Sequence, residues 1–421
     1  MADLRAFQGL RYTVRSGDLA KLVAPPYDVI SPAMREELAA ADPHSFVLLT
    51  LPEGQADDRS QFVKYARSAA RLEEWVREGV LAPEPKPSLY RLTQTFTVPN
   101  SNVTAVRTTV IALIKVEPYA NGTVLPHEQT FPKHKEDRLR LLEATRSHLE
   151  SILGLYEDDR GGIHQMVSNA PATVVAEVAT AFDGTMNKLE VIDDEAAVAA
   201  VLTAMSAKRV WIADGHHRYE TTLAFRSAFP VADAPVAEDY MMMALTSMDD
   251  PGLVLLPTHR ILKKLDMSAE QLRLALADAF DIEDVPNAAL PERLASASAG
   301  VFGVALPGGN GFLATVCDLA SLTADMPGGE RLRSLDVSIL HGPIFADRLG
   351  LTGTDFFGYT REDKEALDAV EAGSPASFLM SPPSVDDMKV VALGGEVMPQ
   401  KSTYYHPKLP SGLVAWRLKE F

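Results

Sequence analysis

The sequence has almost no cysteine and no long apolar run. Cys317 is the only cysteine among 421 residues, which excludes an intramolecular disulfide and a thiolate-based zinc cage. We expect Cys317 to be a small buried residue of a strand. No stretch approaches the roughly 20 apolar residues that a membrane span needs, and the first residues lack the apolar core of a signal peptide. These absences predict a soluble, cytoplasmic protein with no membrane partner.

An excess of positive charge is also missing. The 40 basic and 57 acidic residues give a formal net charge of −17, which repels polyanions, so nucleic acid is an unlikely partner. Small anions remain compatible, because a pocket needs only a few convergent positive groups. The chain has no Walker loop, dinucleotide fingerprint, Gly-x-Ser-x-Gly elbow or His-Glu-x-x-His motif. A zinc hydrolase and a serine hydrolase are therefore disfavoured, and we assign no metal ligands.

Helical and extended patterns both occur, and the length favours more than one domain. Apolar residues at three-to-four-residue spacing predict helices near 59–78 and 135–153. Alternation over 89–97 and a continuous apolar run over 108–115 predict strands. We therefore predict an α+β, multi-domain protein. The predicted divisions are an N-terminal α/β region at 1–87, a core that carries the main motif at 88–265, and a C-terminal α+β region at 266–421.

The most informative segment predicts a buried strand that turns sharply into a helix. Val210–Ile212 is apolar, and Gly215 gives the backbone the freedom that a tight turn requires. His216, His217 and Arg218 then occupy a helix start, where free N–H groups and the helix dipole attract anions. An ordinary turn with surface histidines would give the same pattern. The polar residues on both sides favour a phosphate or nucleotide site.

Several motifs resemble known families. The segment Asp214–Glu220 resembles the phosphate-binding strand–turn–helix of the ParB/sulfiredoxin superfamily, and it is most similar to the version in the free serine kinases. This resemblance implies a ParB/sulfiredoxin-like mixed α/β core. Nearly the whole chain resembles the family of proteins of unknown function numbered 1015 (DUF1015). The segments that carry this second resemblance are Ala24–Ile30, Pro126–Thr130 with Lys135, Asp137 and Arg138, Asp249–Leu253, Pro257–Arg260, Met398–Thr403 and Pro407–Lys408.

Two carboxylates are candidates for catalysis. Phosphoryl transfer to a hydroxyl group needs a base to take the proton and positive charge over the transferring group. In the serine kinases a glutamate upstream of the Asp-Gly-His-His turn is expected to be this base, and Glu128 resembles it, although the interval to Asp214 is longer here. Glu128 could instead contact a neighbouring helix N-terminus. We predict Asp214 to be a hydroxyl or metal partner, with Mg²⁺ as the cofactor of a phosphorylated donor.

Other polar residues are predicted to complete one cleft with the central turn. Solvated helix faces, turn caps and surface ion pairs are the structural alternatives for each of them alone. The predicted substrate-binding residues are Tyr27, Asp28, His127, Lys135, Arg138, Thr258, His259, Arg260 and Lys401.

Three functions are compatible with these observations. The first is a kinase that transfers phosphate from a small-molecule donor to the hydroxyl group of a metabolite, with free serine as one candidate acceptor. The second is a ParB-like nucleotide-binding regulatory module without catalysis, in which ligand binding would close a homodimer. A nuclease is the third, and the acidic composition disfavours it.

Overall fold

Two large β-sheets and the helices packed around them organise the chain. The computed structural model describes residues 2–14, 17–128, 130, 132–230, 234–353 and 355–419, and it describes only the backbone at 132–134. The predicted mixed α/β class is confirmed. Among the described residues we find no helix with the length and apolar character that a membrane crossing requires.

The strands are short except near the centre of the first sheet. They are β1 Leu4–Arg5, β2 Leu10–Tyr12, β3 Leu81–Pro83, β4 Leu89–Thr97, β5 Thr104–Lys115, β6 Val124–Leu125, β7 Ser147–His148, β8 Ile152–Tyr156, β9 Thr173–Ala179, β10 Met186–Ile192, β11 Val210–Asp214, β12 Tyr240–Ser247, β13 Val254–Leu256, β14 His259–Leu262, β15 Phe280–Pro286, β16 Val301–Ala305, β17 Asn310–Val316, β18 Phe357–Thr360, β19 Ser377–Leu379, β20 Tyr404–His406 and β21 Trp416–Arg417.

The helices cover both sheets, and short 3₁₀ turns and one π-helical stretch, Leu340–Arg348, lie between them. They are α1 Leu19–Leu22, α2 Pro32–Ala41, α3 Val47–Thr50, α4 Val63–Arg77, α5 Pro132–Thr145, α6 Gly162–Asn169, α7 Glu195–Met205, α8 His216–Ser227, α9 Ala269–Leu276, α10 Leu290–Ala295, α11 Leu319–Thr323, α12 Glu330–Arg333, α13 Asp336–Ile339, α14 Asp363–Glu371 and α15 Val385–Leu393.

The first sheet has nine strands within the described residues, in the order β6-β11-β8-β12-β5-β4-β10-β9, with β1 paired to β5. The β4–β5 hairpin agrees with the predicted strands. Most pairs are antiparallel, but β6 runs parallel to β11 and β8 runs parallel to β12. The carboxyl ends of β6 and β11 therefore meet at one edge of this sheet.

The second sheet is antiparallel throughout, in the order β15-β17-β16-β19-β14-β18. One apolar cluster joins the two sheets, since Leu155 and Trp211 of the first sheet belong to the same core as Phe302 and Phe378 of the second. Close packing of such a core resists relative movement. A site between the two sheets therefore has rigid walls.

The segment after α15 returns from the second sheet to the first. Met398 N–H donates to the His127 carbonyl at 2.7 Å, β20 pairs with β13, and β21 pairs with β7. Ser411 and Ala415 also pair with the N-terminal residues Ala24 and Leu10. This return brings residues 398–408 against the strand-to-helix turn.

Two local expectations were wrong, and one division stays untested. The helix predicted over 135–153 ends at Thr145, because Arg146 adopts a left-handed backbone (φ 50°) and Ile152 begins β8. Cys317 is exposed, because it follows the end of β17 rather than lying within the strand. The predicted domain divisions remain a prediction, although β14 at His259–Leu262 belongs to the second sheet.

Candidate functional site

The register of two parallel strands explains why two acidic residues meet. Val124 is paired with Val210 and Leu125 with Trp211. Glu128 and Asp214 each lie three residues beyond the pair Leu125 and Trp211, so the same register places them opposite each other. Asp214 is the last residue of β11, and Glu128 lies three residues after the end of β6, so both carboxylates are at the carboxyl ends of parallel strands. This is a common position for ligand-binding residues in α/β proteins.

The turn after β11 depends on a glycine. Gly215 has a φ of 96°, which side-chain-bearing residues rarely adopt, and a Cβ at this position would lie 2.5 Å from Ile152 Cγ2. The backbone then enters α8 at His216. Glycine therefore permits both the turn and the close packing of the helix start against β8.

This helix start opens into a cavity of about 390 Å³. A volume of this size suits a small metabolite or a nucleotide rather than a macromolecule. The cavity is lined by Tyr27, Asp28, Val29, Glu128, Ala213, Asp214, Gly215, His216, His217, Arg218, Arg361, Gln400, Lys401, Thr403, Tyr404 and Lys408.

The charge of the cavity lining is opposite to that of the whole protein. Four cationic side chains face three carboxylates, those of Asp28, Glu128 and Asp214, whereas the whole chain has a net charge of −17. A concave site with excess positive charge attracts anions even on an acidic protein. The cations are Arg218, Arg361, Lys401 and Lys408.

Asp214 is the centre of a buried ion-pair network. Lys408 Nζ donates to one of its oxygens, and Arg218 Nη2 donates to the other at 3.0 Å. Arg218 Nη1 also donates to the Ser151 carbonyl at 2.7 Å. Burial alone would raise the pKa of Asp214, but Lys408 and Arg218 together hold it below its usual range. Asp214 is therefore a carboxylate at neutral pH.

Glu128 lies in a different electrostatic environment. Burial raises the pKa of Glu128 to about 7, and the Lys401 N–H, which donates to Glu128 Oε1 at 3.3 Å, offsets part of this rise. The negative charge of Asp214 raises it further. A carboxyl group with a pKa near the working pH can both accept and release a proton, which suits a general base.

Two histidines near the turn are neutral. Burial lowers the pKa of His127 to about 4 and that of His216 well below its usual value. His127 Nδ1 lies 2.6 Å from the Ile212 carbonyl, so Nδ1 carries the proton and Nε2 accepts from Thr403 Oγ1 at 2.8 Å. His216 Nε2 accepts from the His127 N–H at 3.2 Å. We predicted that His216 helps to neutralise phosphate charge. In the structure His216 is neutral, with its proton on Nδ1, so it can give a hydrogen bond but no positive charge.

Tyrosine rings supported by cations form two walls. The Tyr27 ring lies over Arg138, with its centroid 4.2 Å from the guanidinium carbon, and Arg218 is 6.0 Å away. Tyr404 contacts Arg361 at 4.1 Å and Lys408 at 4.4 Å. Cations over aromatic faces hold both partners in place.

The structure brings most of the predicted site together. We predicted that segments 25–28, 126–138, 214–220, 257–260 and 401–408 meet in one cleft. Four of these five segments line the cavity, and segment 257–260 does not, which corrects that part of the prediction. The predicted residues on the cavity wall are Tyr27, Asp28, Glu128, Asp214, Gly215, His216, His217, Arg218 and Lys401. Residue 129 of the second motif lies outside the described residues.

The other predicted substrate-binding residues are outside the lining and contact protein groups. Lys135 forms an ion pair with Glu220. His127 is hydrogen-bonded to Thr403, and Arg138 packs on the Tyr27 ring, so both support residues of the cavity wall.

In the second sheet, His259 Nε2 lies 2.8 Å from Asp363 Oδ1. Arg260 donates to the Thr258 carbonyl and, at 3.2 Å, to the Lys401 carbonyl. The side chains of Thr258, His259 and Arg260 are too deeply buried to contact a ligand in the cavity. We therefore correct their role from ligand contact to support of the cavity wall.

Sequence reasoning missed Arg361, Thr403, Tyr404 and Lys408 as site residues. The polar density of 401–408 was a usable signal for three of them. Arg361 had none, because it follows β18 without a motif and reaches the cavity only through the packing of the second sheet.

The donor set does not form a preassembled metal site. Among the described residues no group of three or more His, Cys, Asp or Glu side chains is placed to hold a metal ion. Both oxygens of Asp214 already accept from cations. A divalent cation would therefore need the oxygens of a bound ligand as additional partners.

Fold and cavity define a two-sheet α/β protein with an electropositive, nucleotide-sized site. The chain belongs to the DUF1015 family, described as proteins of unknown function, whose profile matches residues 4–338. Arg361 and the residues at 400–408 that line the cavity lie beyond that match.

Similarity to solved structures is distant. A mutant free serine kinase in complex with ADP is 13% identical, with 77% of this chain and 95% of that chain covered and a TM-score of 0.39. A conserved hypothetical protein from Pyrococcus furiosus is 15% identical, with 75% and 96% covered and a TM-score of 0.34. C-terminally truncated SbnI from Staphylococcus aureus is 9% identical, with 71% and 84% covered and a TM-score of 0.36. No curated protein sequence matches. The functional argument therefore depends on this chain's own residues.

Proposed function

We propose that this protein binds a phosphorylated small molecule in the cavity and transfers a phosphoryl group to the hydroxyl group of a small metabolite. The observation that carries the proposal is the position of Glu128, whose pKa of about 7 suits a base, in the same cavity as the Gly215 turn and four cations. A base beside an anion-binding helix start is what transfer to a hydroxyl group requires.

The proposed chemistry balances with the groups present. The acceptor hydroxyl oxygen forms a bond to phosphorus while the bond between phosphorus and the donor's leaving oxygen breaks, and the hydroxyl proton passes to Glu128. The N–H groups of the α8 start and Arg218 hold the phosphoryl oxygens, and neutral His216 donates a hydrogen bond. Lys408 supplies further positive charge. Asp214 keeps Arg218 and Lys408 in position.

A Mg²⁺ ion fits this scheme only when it arrives with the donor. It would be held by phosphate oxygens and by Glu128 or Asp214, and it would neutralise phosphate charge. The proton transfer and the positioning described above are carried out by the protein's own side chains.

The direct test is a screen for transfer. Purified protein is incubated with ATP, ADP or pyrophosphate, with and without Mg²⁺, and with free serine and other hydroxyl metabolites, and phosphorus NMR follows the products. We expect a new phosphomonoester signal from at least one donor and acceptor pair. The rate should rise with pH through about 7 as Glu128 loses its proton.

A matched pair of variants identifies the base. Glu128→Gln keeps the shape of the side chain and should lower turnover by about 10²–10⁴-fold while donor binding persists. Glu136→Gln, on the exposed face of α5, is the control and should leave turnover unchanged. Tight nucleotide binding with no transfer from any donor would favour the non-catalytic regulatory module. A wild-type rate in Glu128→Gln would exclude the assigned base.

A further inference from the structure

The four cations of the cavity are not equally available to a ligand. Arg218 and Lys408 both donate to Asp214, and Arg218 is also fixed by the Ser151 carbonyl. An incoming anion must compete with the Asp214 carboxylate for these two side chains. Lys401 is exposed, and a lysine side chain is a point charge on a flexible stem. It therefore adds positive charge to the cavity but does little to fix the orientation of a ligand.

Arg361 differs from all of them. It follows β18 of the second sheet, and its guanidinium carbon lies 4.1 Å from the centroid of the Tyr404 ring. No described carboxylate forms an ion pair with it, whereas Arg218 and Lys408 both pair with Asp214. Its Nε atom is buried and has no hydrogen-bond partner among the described residues, which is also true of Arg218 Nε. Arg361 is thus a positioned cation on the cavity wall, and it has no carboxylate counter-ion in the part of the chain that the structure describes.

An uncompensated arginine at a cavity indicates a ligand group. A guanidinium that is not held by a carboxylate can give its N–H groups to an arriving anion, and it matches phosphate oxygens with two parallel hydrogen bonds. Contact with the Tyr404 ring fixes the position of the Arg361 guanidinium group before the ligand arrives, so the side chain loses less conformational freedom on binding. These features favour Arg361 over the cations already paired with Asp214.

We propose that Arg361 is a phosphate-binding residue that the second sheet supplies to the site. The inference rests on the proposed function, because it takes the ligand to carry phosphate. The ligand then spans two structural units: the α8 start of the first sheet holds one side of its phosphate groups, and Arg361 of the second sheet holds the other. Binding should therefore stabilise both sheets together.

Binding measurements test the assignment without any turnover. Titration calorimetry with inorganic phosphate and with inorganic pyrophosphate is carried out on the wild-type protein and on Arg361→Gln. We expect the substitution to weaken binding at least tenfold for the better of the two probes. Arg361→Lys, which keeps the charge and loses the planar fork, should bind with intermediate affinity. The matched control is Arg293→Gln, a surface residue paired with Glu283 in the same part of the chain, and it should stay within twofold of wild type.

Hydrogen exchange gives a second readout that a purely structural role would not change. Pyrophosphate should slow amide exchange in both α8 and β18 of the wild-type protein, and only in α8 of Arg361→Gln. Should Arg361→Gln unfold, the same comparison with Arg361→Lys applies, since a lysine retains the stem that packs on Tyr404.

The outcomes separate this inference from the catalytic proposal. Weakened binding in Arg361→Gln supports the inference even when no phosphoryl transfer is ever seen. Binding within twofold of wild type, with exchange in β18 slowed as before, overturns the inference and leaves the kinase proposal standing. A wild-type protein that binds neither phosphate nor pyrophosphate overturns the inference, and the kinase proposal is then decided by the transfer screen with ATP and ADP.

Discussion

Glu128 offers a test in which stability and function should change in opposite directions. The substitution is Glu128→Gln, which removes the ionisable group and keeps an oxygen that can accept the Lys401 N–H. The carboxyl group has a pKa of about 7 in the folded protein against an ordinary value of 4.5. Folding therefore favours its protonated form. The favourable contribution is complete below pH 4.5, falls as the pH rises, and is fully lost once the folded group ionises above about 7.

The expected size follows from that difference. A rise in pKa from 4.5 to about 7 corresponds to roughly 3 kcal/mol of destabilisation at alkaline pH relative to a neutral side chain. Because Glu128 lines a cavity large enough to admit water, screening reduces this value, and we expect about 2 kcal/mol. Glu128→Gln should thus be more stable than wild type by this amount near pH 8.5, with a smaller advantage near pH 6.

Urea unfolding followed by circular dichroism at these two pH values measures the difference. Both are above the sequence pI of about 5.1, so the protein should remain in solution. Glu136→Gln is the control and should show no pH-dependent gain. Equal stability of Glu128→Gln and wild type near pH 8.5 would refute the reasoning, since it would mean that the carboxylate is well solvated and its pKa is ordinary.

Three further changes test the turn and its network. Arg218→Ala should weaken pyrophosphate binding by about 1.5–3 kcal/mol in calorimetry, the usual range for a hydrogen bond to a charged group, and an unchanged affinity in a folded variant would remove Arg218 from the site. Asp214→Asn should bind pyrophosphate several-fold more tightly in the absence of divalent cations, because Arg218 and Lys408 lose a competing anion while the amide oxygen can still accept from one of them; weaker binding would show that the loss of their positions outweighs the loss of the competing charge. Gly215→Ala should lower stability by about 1–3 kcal/mol in thermal unfolding, because of the left-handed backbone and the contact with Ile152, and a wild-type melting temperature would contradict the observed turn.

Local sequence signals predicted the part of the site that depends on neighbours along the chain. The apolar run Val210–Ile212 followed by Gly215 predicts a strand and a turn from neighbouring residues alone, and the structure has β11 and α8 at these positions. The meeting of Glu128 with Asp214 follows from parallel pairing of β6 and β11, which residue types alone do not specify.

The remaining features depend on packing between distant segments. Arg361 reaches the cavity because the second sheet shares a core with the first, and no local pattern encodes that contact. Leu149 and Ile152 continue a helical spacing, yet they belong to extended chain beyond the left-handed Arg146. The neutral state of His216 likewise depends on its burial beside His127. Periodicity describes one element at a time, whereas these features depend on two.

The return of residues 398–417 to the first sheet has a consequence for the order in which the protein matures during translation. The ribosome makes both carboxylates and the α8 turn long before Tyr404 and Lys408, and the last of these contacts Asp214 directly. A nascent chain can pair β6 with β11, but its anion site lacks one wall until this late segment has emerged. A ligand that needs Tyr404 and Lys408 cannot assist folding of the first sheet before this segment has emerged. Ligand-dependent protection from proteolysis should therefore be absent from nascent chains in which residues 398–408 are still inside the ribosome.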